Sequence, residues 1–225
     1  VKLVSEEELR AIRGTLAQTA SEPSYCAIRP KAVSEGFEQV HEVVFYPKPT
    51  AAHTLKYRYS VIPGFIDNDN VYPLGSRMYS MAILESCLAS AQRELGLEGP
   101  VNHEAEFQKC LVASIRRDQK FLAIARTSRA WPIEDARTSL TFDRDSLLQR
   151  LGHHVFDKPN PGSWSHDEQR RLDQIMVAGL SRFYWFTPTE GTGEHDWSFL
   201  NPSKNLSIVS GASAYDLPAD FGGLH

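Results

Sequence analysis

Residues 197–225 read WSFLNPSKNLSIVSGASAYDLPADFGGLH and combine an aromatic cluster with strand-forming and turn-forming segments. Residues 206–209 predict a strand, Gly211 a turn, and the residues after it a second short strand, so we expect a hairpin over residues 206–215. Trp197 and Phe199 are expected to anchor this stretch to a helical core. The segment LPADFGG then leads out of the predicted hairpin, and we expect it to continue toward further residues.

The bulk composition of the 225-residue chain is that of a soluble globular protein. Its formal net charge of −4 argues against an electrostatic nucleic-acid binder, which normally carries a basic stripe. No apolar run approaches the length that spans a bilayer. The first residues, VKLVSEEELR, lack the regions of a signal peptide and an initiator Met, so a processed or trimmed chain is expected.

The three cysteines, Cys26, Cys87 and Cys110, are odd in number and widely spaced, with no CxxC motif. This pattern favours a reducing compartment and unpaired thiols. We expect small buried side chains at these positions and no metal site.

The first third of the chain predicts one helix followed by strands. Ser5 and Glu8 have capping-box spacing, and Leu9, Ile12 and Leu16 share one face, which indicates a helix over residues 5–19. Period-two patterns then predict strands in YCAIRP, VHEVVFYPKP and HTLKYRYSVIP. Since the link PKPTAA is short, the second and third of these strands are expected to form a hairpin over residues 42–62.

The middle of the chain predicts two long helices. One covers residues 76–95 and ends at Gly96, and the other is capped by Asn102 and runs to residue 126. The short connection predicts that they pack as an antiparallel hairpin. Cys87 and Cys110 are expected in the seam between them.

After a polar linker over residues 127–145, two more helices are predicted. The first contains Leu147, Leu148 and Leu151, and the second starts at Ser165, with Glu168 at capping-box spacing. The predicted class is α+β and predominantly helical, an antiparallel helix bundle with a β-hairpin or small antiparallel sheet. We expect three consecutive segments: residues 1–74, 75–130 and 131–225.

The clusters that resemble catalytic or metal motifs have simpler explanations. HEAEF, at residues 103–107, lacks the second His of a zinc-protease helix, and His153 and His154 are adjacent and point to different faces. SHDEQ suits a helix start, DNDN a turn, and IRRDQK a solvated helix face of mixed charge. The residues alone therefore predict no catalytic centre, no cofactor and no metal site.

Four stretches together resemble the head-to-tail adaptor, or connector, proteins of tailed bacteriophages. They are EVVFYPKPTAAHTLKYRYSVIP, YPLGSRMYSMAILESCLASAQREL, HEAEFQKCLVASIRRD and HDWSFLNPSKNLSIVSGASAYDLPADFGG, and they cover about half of the chain. The series Trp-Ser-Phe-Leu, strand, Tyr-Asp-Leu-Pro-x-Asp-Phe is the most distinctive. In that family the last stretch precedes the β-rich section, whereas here it follows. Two related modules in tandem would explain this inverted order.

The resemblance implies a structural virion protein and not an enzyme. Its partners would be copies of itself in a ring, twelvefold by family analogy, the portal protein, and a downstream neck or tail protein. DNA would pass through the channel without sequence-specific binding, and no membrane is implied. The location would be the neck of the virion, assembled in the host cytoplasm. The net negative charge, repeated around a ring, would discourage DNA from adhering.

Loops and strands that a rigid scaffold presents are the expected contact regions. The candidate interface residues are Phe45, Tyr46, Lys48, His53, Tyr57, Tyr59, Asp67, Asp69, Glu190, His195 and Trp197.

Two alternative functions stay open. One is another neck or tail protein, a tail terminator or tail tube, which usually contains more β structure. The other is a small metal-dependent hydrolase that would use His103, Glu104, His153 or His166.

Overall fold

The computed structural model describes residues 1–15, 21–31, 40–64, 66, 71–75, 79–97, 99–127, 142–187 and 195–224. The chain divides into two compact units, one formed by Val1–Ile62 with Asn201–His225 and the other by Pro63–Leu200. This division differs from three consecutive segments, because the closing residues return to the N-terminal unit. Residues 197–225 thus supply material to both units.

The described elements alternate from strands to helices and back to strands. In chain order they are β1 (Lys2–Leu3), α1 (Glu6–Thr15), β2 (Tyr25–Pro30), β3 (His41–Tyr46), β4 (His53–Val61), α2 (Ser80–Leu95), α3 (His103–Thr127), α4 (Arg144–Phe156), α5 (His166–Tyr184), β5 (Ser203–Ile208), β6 (Ala214–Asp216) and β7 (Phe221–Leu224). The mixed α+β class is confirmed, with 48% helix and 21% strand. Within the described ranges, no helix is long and apolar enough to cross a membrane.

The first unit contains two small sheets that share no strand. One has the order β1-β2-β3-β6 and the other β5-β4-β7. Helix α1 covers one face of the first sheet, because its apolar stripe buries Leu9 and places Ile12 against the same core. The core residues that receive this stripe are Val4, Ala27, Val44 and Tyr46.

Neither predicted hairpin forms, so the predictions over residues 42–62 and 206–215 are wrong. β3 pairs with β6 in the first sheet and β4 pairs with β5 in the second, so the two segments pair antiparallel with each other. The links between their strands are held together where Gly211 N donates to Pro49 O at 2.8 Å. Pro47 and Pro49 have no N–H to donate to a ladder, which disfavours a tight turn between β3 and β4.

The closing segment LPADFGG does not lead away from the unit. Leu217 and Phe221 are buried, and β7 pairs antiparallel with the end of β4, where Tyr59 faces Leu224. The Phe221 ring stacks on the Tyr59 ring at a centroid distance of 5.9 Å. This segment is therefore an edge strand of the second sheet.

Three helix ends in the second unit lie where their capping residues predict. Gly96 adopts the left-handed conformation (φ 61°) after α2, and Asn102 Oδ1 accepts from Ala105 N at the start of α3. Ser165 and Glu168 form a complete capping box at α5. The bond between Gln92 and His103, together with the one between Tyr79 and Asp118, shows that α2 and α3 run antiparallel.

Helix α2 also packs closely on α5, a contact that the sequence did not indicate. Cys87 is fully buried there, and a Cβ on Gly179 would lie 2.5 Å from Cys87 Cα. Burial raises the pKa of the Cys87 thiol to about 12, so it stays protonated. Cys110 is only half-buried. Cys87 thus contacts α5, a contact beyond the predicted seam with α3.

Gly179→Ala is expected to destabilise the second unit by about 1–3 kcal/mol, because the added methyl group meets backbone atoms that cannot rotate away. Urea unfolding followed by tryptophan fluorescence measures this, since all four tryptophans lie in residues 63–200. Gly64→Ala is the control, because Gly64 belongs to the same unit and nothing lies within 4 Å of its added Cβ. A Gly179→Ala variant as stable as the unmodified protein would contradict the close approach of α5 to α2.

Candidate functional site

The most unusual site in the second unit is a fully buried carboxylate, Asp118 on α3. It accepts hydrogen bonds from Tyr79 Oη at 2.8 Å, His195 Nε2 at 2.9 Å, Ser198 N at 3.0 Å and Ser198 Oγ at 2.5 Å. The donors come from the start of α2 and from the segment just before the last strands. One side chain therefore fastens three distant parts of the chain together.

Asp118 falls within IRRDQK, which we had interpreted as a solvated face of mixed charge, so for Asp118 that interpretation is wrong. The helical period would have indicated the burial, because Asp118 lies three and four residues after Ile115 and Ser114, which are also buried. The polar character of aspartate masked this position. A buried carboxylate is uncommon unless its partners are in place.

Aromatic rings surround the carboxylate. Trp197 lies 5.4 Å from Tyr79, 4.8 Å from Phe183 and 5.4 Å from Phe199, measured between ring centroids. The Trp197 indole N–H donates to Phe183 O at 3.3 Å. Trp197 and Phe199 are 1% and 6% exposed, which confirms that they anchor residues 197–200 to the helices.

Opposing effects set the protonation of this cluster. Burial raises the pKa of Asp118, but the hydrogen bonds from His195, Ser198 and Tyr79 outweigh it and hold the pKa below its usual value. Burial and the neighbouring carboxylate raise the pKa of Tyr79 far above its usual range. Asp118 is thus an anion and Tyr79 a neutral donor at neutral pH.

The presence of Ser, His and Asp does not produce a nucleophilic triad here. In such a triad the His lies between the Ser and the Asp and takes the hydroxyl proton. Here both Ser198 Oγ and His195 Nε2 bind Asp118, and Ser198 is 5% exposed. The arrangement suits fixing the turn at Ser198–Leu200, and it leaves the hydroxyl without an activating base.

Asp118→Asn is expected to lower the free energy of unfolding by about 2–4 kcal/mol, because buried donors lose their acceptor. Asp196→Asn is the matched control, since Asp196 is exposed on the neighbouring turn, and its change should stay within about 0.5 kcal/mol. Urea unfolding of both variants measures the difference. If Asp118→Asn lowered the free energy of unfolding no more than Asp196→Asn, the hydrogen bonds of Asp118 would contribute little to stability.

A second polar cluster joins α2, α3 and α4. His103 Nδ1 lies 2.7 Å from Glu85 Oε2, and the His103 ring meets the His154 ring edge-on at a centroid distance of 4.8 Å. His154 Nε2 is buried without a hydrogen-bond partner among the described residues. Burial, and then the neighbouring His103, lower the pKa of His154, although Glu85 opposes this. Its ring lines a groove of about 620 Å³ between α2 and α4.

Because the pKa of His154 is lowered from 6.5, its contribution to stability is complete above that pH and is lost as the pH falls toward the lowered value. The unfolded chain then binds a proton that the folded chain does not. We expect the free energy of unfolding to fall between pH 7.5 and pH values below 6.5, and His154→Gln should flatten this slope. Urea unfolding at a series of pH values tests it.

His166→Gln serves as the control for this pH dependence, because His166 is exposed at the first position of α5. That variant should keep the slope of the unmodified protein. A slope that flattens equally in both variants would show that burial of His154 does not cause it.

Three of the four residues of the hydrolase alternative have separate partners. His103 binds Glu85, Glu104 pairs with Arg182, and His153 lies 3.2 Å from Asp157. His166 is exposed at the first position of α5. In the part of the chain that the structure describes, no group of three or more His, Cys, Asp and Glu side chains could hold a metal ion.

The candidate interface residues have very different exposures. Phe45, Tyr46, Tyr59 and Trp197 are at most 5% exposed and lie in the cores of their units, so their side chains offer little contact surface. His195 is largely buried against Asp118. The remaining described candidates are Lys48, which is exposed, and His53 and Tyr57, which are half-buried. Asp67, Asp69 and Glu190 lie outside the described residues.

Comparison of the chain with protein-family models, with curated proteins and with solved structures finds no match.

Proposed function

We propose that this chain is a structural virion protein, a head-to-tail adaptor whose copies form a ring between the portal and the tail and leave a channel for DNA. The proposal rests on the structural part of residues 197–225, the stretch whose resemblance to the adaptor family is the most distinctive. Trp197, Phe199 and Leu200 are core residues, and the residues that follow supply three strands. Those residues form part of a core and of the sheets, as expected of a protein with a structural role.

The balance of secondary structure favours an adaptor over a tail terminator or tail tube. Those proteins usually contain more β structure, whereas 48% of the described chain is helix and 21% is strand. Stiff helices joined at a buried polar cluster also suit a subunit that must keep its shape under load.

Trp185 is our candidate for contact between copies of the chain. It is the first residue after α5 and is 58% exposed, although it follows two buried aromatic residues, Phe183 and Tyr184. Aromatic side chains are enriched in protein interfaces because they bury a large area at a low cost in conformational entropy. In a cyclic ring, each Trp185 would meet a different face of the next copy.

Native mass spectrometry and negative-stain electron microscopy test the ring. We expect a closed species at a multiple of the 25.3 kDa subunit mass, alone or on addition of a portal protein from the same virion. A protein that stays monomeric under both conditions would overturn the proposal.

Trp185→Ala is expected to shift the assembly toward monomer by about tenfold in dissociation constant, since an interface aromatic residue can carry a large share of binding energy. Val101→Ala is the control, because Val101 is also exposed (44%) but small. Sedimentation velocity over a concentration series measures both. If the dissociation constant of the assembly were unchanged in Trp185→Ala, the contact between neighbouring copies would not involve Trp185.

A further inference from the structure

The outer face of the β4–β5 ribbon is composed entirely of side chains that donate hydrogen bonds. β4 and β5 pair antiparallel, with Thr54 opposite Ser207, Lys56 opposite Asn205 and Arg58 opposite Ser203. Directly opposed residues lie on the same face of a sheet. All six are exposed.

This face is positively charged, in contrast to the rest of the chain. The six residues of this face include two cations, Lys56 and Arg58, and no carboxylate, whereas the whole chain has a net charge of −4. Among the described residues, no ion pair joins Lys56, Arg58 or Lys204 to a carboxylate. The cations are therefore not neutralised within the described structure.

The strand backbone sets the spacing of the two charged residues. Lys56 and Arg58 are two residues apart on one strand, so their backbone positions lie about 6.6 Å apart on the same side. Arg58 Nε donates to Asn201 O at 3.2 Å, which orients the guanidinium and leaves its other N–H groups available. Lys204 belongs to the opposite face, where it lies over the Tyr59 ring at 5.7 Å.

From this charge and chemistry we propose that the outer face of the β4–β5 ribbon binds the phosphate backbone of nucleic acid without reading its sequence. Phosphate oxygens take hydrogen bonds from Arg, Lys, Ser, Thr and Asn, which are the five residue types on this face. The phosphates of one strand of a duplex recur every 3.4 Å along its axis, so the spacing of about 6.6 Å between Lys56 and Arg58 corresponds to two such steps, and each cation can contact a separate phosphate. The inference goes beyond the adaptor role and does not require it.

Fluorescence anisotropy of the full chain with a labelled 30-base-pair duplex tests the proposal. We expect binding at 50 mM NaCl that weakens with salt and is the same for unrelated sequences. Lys56→Gln with Arg58→Gln should weaken binding about tenfold. It should also reduce the slope of log K against log salt by about 1.8, since each lost phosphate contact removes about 0.9.

Two matched variants separate the ribbon from net charge. Arg170→Gln with Arg171→Gln removes the same charge from the exposed face of α5 and should leave binding nearly unchanged. Lys56→Arg with Arg58→Lys keeps both ribbon charges and should retain binding. Equal losses in the two Gln pairs would overturn the assignment to the ribbon, and so would the absence of any salt-dependent binding.

A labelled polyglutamate of equal charge distinguishes a nucleic acid from an acidic protein. Tighter binding of polyglutamate than of the duplex would overturn the proposal in favour of a protein partner. The mass measurements on the same variants give an independent result. A ring that forms without DNA binding refutes only this inference, and DNA binding by a persistent monomer refutes only the adaptor role.

Discussion

The buried carboxylate of Asp118 is the interaction on which the second unit depends. A charge taken out of water is costly, and it is tolerated only because four donor groups reach it at once. Those donors come from Tyr79, His195 and Ser198, so the folded state requires the start of α2, the middle of α3 and residues 195–198 to meet at one point. The aromatic rings of Trp197, Phe183 and Phe199 exclude water from that point. Their packing makes each hydrogen bond stronger, and it also makes each missing one more damaging.

Three helix ends are predicted correctly because their signals are local. Asn102, Ser165 and Gly96 act through hydrogen bonds or backbone conformations within a few residues of themselves, and the structure shows each at its expected cap. The burial of Asp118 is a different case. Its helical position indicates an inward side chain, while its chemistry indicates an outward one. Only the donors from remote segments decide the outcome, and a single sequence does not show which remote segments will arrive.

The strand pairing shows a second limit of prediction from a single sequence. A period-two pattern defines the two faces of a strand but not its partner. The segments at β3–β4 and at β5–β6 each satisfy the pattern for a hairpin, and each instead pairs with the other across most of the chain length. The entropy cost of closing a longer loop grows only slowly with length, so a remote partner competes with a neighbouring one. Two prolines in the link 47–52 also disfavour a tight turn, and hence the pairing of β3 with β4.

Screening by salt resolves the contrast between an acidic subunit and a basic ribbon. At physiological ionic strength the Debye length is about 8 Å, so charges further away than this are largely screened. The net charge of −4 therefore has little influence on a phosphate that already touches Lys56 and Arg58. In the proposed ring, ribbon cations would make brief contacts with whichever phosphates pass next to them. Weak, sequence-independent contacts of this kind can be broken one at a time, so they are compatible with movement of DNA past the protein.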